Sequence, residues 1–206
     1  MIDIFTNIPI RLDKIVCNSG GASGSDQVWE EEGERYGVKT KAYSYKTKYH
    51  TTENKVEISD EDYEEGVKEI TKANKFLKRF GINKYMNLLA RNWSQVKYSN
   101  EVFAIGQIIE PGQKCSPKNY YNKSEYQVVS GGTGYAVQMA INNEKFVYVF
   151  DQDKDKWFRW SYTSLKFIEV KKTLKISYEN FAGIGTREIK PNGIRAIEEI
   201  YKLTFN

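Results

Sequence analysis

Apolar positions come in short bursts, and most bursts lead into a stretch of helical periodicity. Ile15-Val16-Cys17 reads as a buried-type strand, Ser19 to Asp26 as a glycine-rich loop, and the residues from about Gln27 towards Val38 as a helix. Thr40 to Val56 is rich in lysine, holds His50 and reads as a loop. Ser59-Asp60-Glu61-Asp62 has the composition of a helix N-cap, and the helix it opens runs to about Phe80. Asn83 to Val96 continues helically, and after a polar break Val102-Phe103-Ala104-Ile105 forms the next strand. Pro111 to Glu125 reads as an irregular insertion, either a lid or ligand-facing loop or a plain surface excursion. Ser130 to Ala140 is a second glycine turn opening a helix, followed by a strand from Lys145 to Asp151. Trp157 to Lys175 reads as β-rich, Asn180 to Arg187 as a third glycine loop, and Pro191 to Leu203 as a closing helix with proline in its first turn.

Alternating strands and helices imply an α/β, Rossmann-like fold: a mainly parallel sheet with helices on both faces. The length of 206 residues fits one domain. Within it, residues 12–150 form the alternating part, 151–175 a small β-rich extension, and 176–206 a last strand and helix.

Composition narrows the chemistry. One histidine and two cysteines, Cys17 and Cys115, do not suffice for a four-ligand zinc site, so no metal and no cofactor is expected, and the cysteines need not pair. No apolar run is long enough to span a membrane, and Met1 to Ile10 lacks the cationic start of a signal peptide, which suggests the cytoplasm. With 31 basic against 27 acidic residues the net charge is +4, which leans towards anionic ligands and away from a dedicated nucleic-acid surface.

Glycine loops between strand and helix either bring backbone N–H groups to a phosphate at a helix N-terminus or simply make a tight turn. None of the three carries the Lys-Ser or Lys-Thr of a Walker loop, and neither the Gly132 nor the Gly183 loop has the spacing of a dinucleotide fingerprint. ATPase chemistry and NAD-dependent oxidoreduction lose their main support.

Four motifs together resemble the SLOG superfamily of Rossmann-like domains, which includes the lonely-guy phosphoribohydrolases and the DNA-processing recombination mediators. They are Gly183-Ile184-Gly185-Thr186-Arg187, the loop Ser19 to Asp26, Arg91-Asn92-x-x-Gln95-Val96 and Gly131-Gly132-Thr133-Gly134. In the family the Gly-Ile-Gly strand and its helix come first, whereas here they close the chain. The chain therefore resembles a circularly permuted, phage-type member, with the cut after the first helix.

The resemblance implies one crevice where the strand C-termini meet. Its ligand-binding residues would be Gly20, Gly21, Ala22, Ser23, Gly24, Ser25, Asp26, Arg91, Asn92, Gln95, Gly131, Gly132, Thr133, Gly134, Gly183, Gly185, Thr186 and Arg187. Amides of Gly20, Gly21, Gly132, Thr133 and Gly134 would hold phosphate oxygens, Arg91 or Arg187 would add a charged fork, and Asp26 and Asn92 would meet ribose or a base edge. The alternatives are a structural ion pair for the arginines and helix capping or buried hydrogen bonding for Asn92 and Gln95. Lonely-guy enzymes carry carboxylates in the helix after the second glycine turn, where this chain has Tyr135-Ala136-Val137-Gln138-Met139. Asp26, Glu30 and Asp151 are the replacement candidates were it an enzyme. The expectation is a binder of a phosphorylated or cyclic nucleotide, such as a cyclic ADP-ribose-type immune signal, acting as a phage anti-defence sponge in the host cytoplasm. The alternatives are a nucleotide N-glycosidase or phosphoribohydrolase and a single-strand DNA-binding mediator, and family analogy adds a homodimer.

Overall fold

The computed structural model describes residues 11–48, 50–113 and 124–206. The expectations for Met1 to Ile10, for Cys115 and for most of the 111–125 insertion lie outside the described residues.

The strands are β1 (Val16–Ser19), β2 (Lys39–Ser44), β3 (Lys55–Glu57), β4 (Glu101–Gly106), β5 (Ile108–Ile109), β6 (Val128–Val129), β7 (Phe146–Asp151), β8 (Lys156–Ser161), β9 (Lys166–Glu169) and β10 (Asn180–Gly185). The helices are α1 (Ser25–Arg35), α2 (Asp60–Leu77), α3 (Met86–Lys97), α4 (Thr133–Asn142) and α5 (Pro191–Phe205). Eight strands form one sheet in the order β3-β2-β1-β10-β4-β7-β8-β9, parallel from β3 to β7, with β8 and β9 added antiparallel; β5 and β6 make a small separate hairpin. The fold is Rossmann-like, and the β-rich extension is the β8–β9 hairpin.

The last strand of the chain sits at the centre, between β1 and β4 and parallel to both. Counted from β10 through α5 to β1, β2, β4 and β7, with the short edge strand β3 left aside, the strands take the doubly wound order 3-2-1-4-5. The adjacency expected from the motif order is thus present, with Cys17 opposite Phe181 and Asn18 opposite Ala182.

Strands buried on both faces need apolar side chains on both, and β4, Glu101-Val-Phe-Ala-Ile-Gly106, is buried throughout. Val102 and Ala104 face α2, α3 and α4, while Phe103 and Ile105 face α1 and α5. On the α1 side Trp29 packs against Phe103, Phe181 and Tyr201, with ring centroids 6.0, 5.9 and 5.8 Å away. Its indole N–H donates to Ile184 O at 3.3 Å, and its own carbonyl accepts the Tyr201 hydroxyl at 2.9 Å.

Two readings need correction. Thr40 to Val56 is not one loop, because β2 and β3 lie in and around it. Its lysines suit strands near a sheet edge, where exposed cations discourage further pairing, and within β2 the buried residues are Ala42, Tyr43 and Ser44. Asn180 to Gly185 is likewise a strand rather than a loop: a Cβ on Gly183 would come within 2.5 Å of Trp29, so the glycine answers to the indole.

Reaching the centre from β9 requires a crossing connection, and Glu101 at the start of β4 secures it. Its Oε1 accepts the Ser177 and Tyr178 amides at 2.6 and 2.9 Å, while Oε2 is buried without a partner. Burial pushes the Glu101 carboxyl up to about 8, against the pull of those amides. A carboxyl whose folded pKa is raised stabilises most below its unfolded pKa and loses that contribution as pH climbs through the folded value. Stability should therefore fall by on the order of 3 kcal/mol from about pH 5 to about pH 9 through this group. Denaturant unfolding should show a flatter profile for Glu101→Gln, whose carbonyl still accepts both amides; an unchanged slope would count against the assignment. A rearranged chain starting at Lys175, with Asn206 joined to the N-terminal residues by a short linker, should also unfold cooperatively with a near-native circular dichroism spectrum.

Candidate functional site

The four motifs meet above the C-terminal ends of β1, β10 and β4, joined by hydrogen bonds and close packing. Ser25 ties the first loop to β10, its amide and hydroxyl both donating to Thr186 O at 3.0 and 2.8 Å. Gly185 donates its amide to Asp26 Oδ1 at 3.2 Å. Asp26 Oδ2 lies 3.6 Å from Arg91 Nη1, which donates to Gln95 Oε1 at 2.9 Å. The next residue on α3, Asn92, donates to Gly132 O at 3.3 Å. One helix thus reaches two loops with consecutive side chains.

In the first loop the space over Gly20 is filled by the Arg91 guanidinium, which a Cβ would overlap. The Gly21 amide donates to Glu30 Oε1 at 3.0 Å, and Glu30 Oε2 accepts from Asn54 at 2.8 Å. The Ala22 amide turns to the Asp26 carboxylate. The expected role of Gly21 as a phosphate donor is therefore corrected, since a carboxylate of the loop's own helix already takes its N–H. Ser23 is exposed, and Gly24 packs on the Arg187 backbone.

The Gly131 turn is built the other way round. Arg79, just past the end of α2, donates to Gly131 O and Val129 O and lies over the Tyr135 ring. Gly132 O accepts Asn92 and the Tyr135 amide. A trans peptide points C=O and the next N–H in opposite directions, so inward carbonyls on Gly131 and Gly132 turn the N–H groups of Gly132 and Thr133 outward. Gly131, at φ +61°, precedes Gly132 in right-handed helical geometry, a succession that makes neighbouring amides converge on an anion. Gly131 and Gly132 are exposed, whereas Gly134 is buried against Val129 and Arg79.

The remaining expected residues divide. Arg187 is exposed at the rim and Thr186 is half-buried, while Gly183 lies under Trp29, below the crevice. Gly185 leaves room for Ser25, and Gln95 serves Arg91. Burial pushes the Asp26 carboxyl up to about 6 in spite of Arg91, and burial holds Arg91 below its ordinary value. Asp151 accepts the amides of Ile108, Asp153 and Lys154, which makes it a turn residue.

Sequence reasoning missed two parts of this site. Arg79 gives no local signal, being one cation after a helix end. Tyr43, Ser44 and Tyr45, at the end of β2, line a recess of about 130 Å³ with Gly20, Gly21, Thr47, His50 and Arg91. The period-two alternation of Lys39 and Lys41 with Thr40 and Ala42 could have marked that strand. Among the described residues no group of three or more His, Cys, Asp or Glu side chains is placed to hold a metal, and no helix is long and apolar enough to cross a membrane.

The two kinds of glycine should separate in stability measurements. Gly20→Ala forces a methyl into the Arg91 guanidinium and should cost about 2 kcal/mol or more in urea unfolding. Gly132→Ala meets only the edge of Leu89 at 3.9 Å and should stay within about 0.5 kcal/mol. Equal losses would mean that both turns are purely structural.

Comparison with protein-family models, curated proteins and solved structures finds no match, so the functional reading rests on this geometry.

Proposed function

We propose that the protein binds a phosphorylated or cyclic nucleotide across the crevice above β1, β10 and β4 and holds it without turnover. The observation that carries this reading is the Gly131-Gly132-Thr133 turn, whose carbonyls are pulled inward by Arg79 and Asn92 so that its amides face out at the head of α4. Fixed N–H dipoles of this kind recognise phosphate in ground and transition states alike, which yields affinity without acceleration.

Cleaving an N-glycosidic bond needs a positioned acid or base. The first turns of α4 carry no carboxylate, both Glu30 oxygens already accept hydrogen bonds, and Asp26 is spent on Gly185, Ala22 and Arg91. With the SLOG resemblance, the reading extends to a phage-type sponge for a nucleotide-derived immune signal in the host cytoplasm. One observation favours the second reading, a nucleotide N-glycosidase: the Asp26 carboxyl, raised to about 6, sits in the range useful for proton transfer.

A single experiment separates them. Purified protein is incubated with nucleoside monophosphates, ADP-ribose, cyclic ADP-ribose isomers and cyclic dinucleotides, then heated, and the released material is weighed by mass spectrometry. Intact ligand at about one equivalent is expected from the wild type. Gly132→Leu, which places a side chain over the outward amides, should retain at least tenfold less at unchanged thermal stability. Free base accumulating catalytically, and lost in Asp26→Asn, would overturn the sponge in favour of the hydrolase.

A further inference from the structure

The recess beside the first glycine loop is unlike the Gly131 turn in charge and in shape. At about 130 Å³ it is well below the roughly 300–1,000 Å³ that encloses a whole ligand. It therefore takes one planar group, with the rest of the molecule outside.

Arg91, 5% exposed, is its cationic wall. Its Nη1 is engaged by Gln95 and faces Asp26, whereas Nε and Nη2 take no acceptor among the described residues, and the residue lines the recess. The guanidinium charge is already balanced from behind by Asp26, and Glu30 lies beside the first loop. A phosphate dianion entering here would add negative charge where the cation is matched. The recess thus offers spare hydrogen-bond donors without spare charge.

Among the described residues the other walls hold no carboxylate, lysine or further arginine. His50 packs on Gly21, with Nε2 2.8 Å from Thr52 Oγ1, and burial, reinforced by Lys55 and Arg91, holds its pKa below the ordinary histidine value. Tyr43 is fixed by stacking on Tyr98, with centroids 5.7 Å apart and rings 13° from parallel, and Tyr45 completes the wall. Aromatic faces around a guanidinium edge are the surroundings that nucleobases favour.

We propose that this recess is the base pocket of the nucleotide site and that it selects a 6-oxopurine, guanine or hypoxanthine, by the Arg91 donors. The inference rests on the nucleotide reading above and narrows it. A 6-oxopurine presents O6 and N7 as neighbouring acceptors, the pair an arginine edge matches; adenine places an amino donor beside N7 and meets donor with donor. Among the candidate signals, guanine-containing nucleotides are thereby preferred to the ADP-ribose type, with the phosphate at Gly131 to Thr133.

Isothermal titration of the full chain with GMP, IMP, AMP, UMP and inorganic phosphate tests it. GMP and IMP should bind about equally and about ten- to a hundredfold more tightly than AMP or UMP. Tyr45→Ala and His50→Ala, both at half-buried wall positions, should each weaken GMP about tenfold while leaving the melting temperature unchanged. AMP binding as tightly as GMP, or GMP affinity unaltered in both wall variants, would overturn the base pocket and leave the nucleotide reading standing. Phosphate alone competing for Arg91 would make the recess an anion site and also overturn it. No binding by any nucleotide would overturn both.

Discussion

The sheet depends on a strand that the chain supplies last. Without β10, β1 and β4 have no common neighbour, and the parallel sheet falls into two halves. Val16 pairs with Asn180 and Glu101 with Phe181, so the central ladder joins residues more than 160 and about 80 positions apart. Local propensity cannot drive such pairing; buried side chains must. Trp29 supplies much of this on one face, lying over Gly183 and against Phe181, with its N–H on the β10 backbone. A large side chain at 183 would push α1 off the sheet, so the glycine and the tryptophan form one packing unit.

The same strand assembles the crevice. Its end holds Ser25 through Thr186 and meets Asp26 through Gly185, Asp26 faces Arg91, and the Arg91 guanidinium fills the space that only a glycine at 20 leaves open. Asn92, one residue on, fixes the second turn. The two glycine loops are therefore coupled through α3, although more than a hundred residues separate them. Partial assembly would leave Arg91 a buried cation with no carboxylate beside it, a state costly enough to favour all or none.

Much of this was legible in the sequence where one residue type admits one role. Alternating apolar bursts and glycine turns predict a parallel α/β sheet, and the likeness of the Gly-Ile-Gly and Ser-Gly-Gly-Ala motifs to neighbouring loops predicts β10 beside β1, where it lies. Less legible was whatever depends on a partner distant in the chain. The lysines of Thr40 to Val56 look like a loop until β1 pairs with β2, and Arg79 has no meaning without the carbonyls of Val129 and Gly131. Glycine itself was ambiguous: Gly21 and Gly131 both take positive φ, yet the first turns its amide to Glu30 while the turn that follows the second presents its amides to solvent. Identical letters diverge because one loop is followed by a helix bearing a carboxylate within reach and the other by Tyr135-Ala136-Val137.

That divergence also bears on chemistry. An anion-binding turn whose own helix supplies a carboxylate is occupied before any ligand arrives, and that carboxylate is already hydrogen-bonded and poorly placed for proton transfer. A turn followed by an apolar helix stays open but brings no acid or base to the bond that would have to break. Between them the two loops divide what a hydrolase would need in one place: the donors proposed for phosphate on one side of α3, carboxylates on the other. Arg91 stands on the carboxylate side with its charge matched by Asp26, where it can read the edge of a neutral ring more readily than it can stabilise a developing charge. On the proposed reading, such a division serves affinity and recognition rather than turnover.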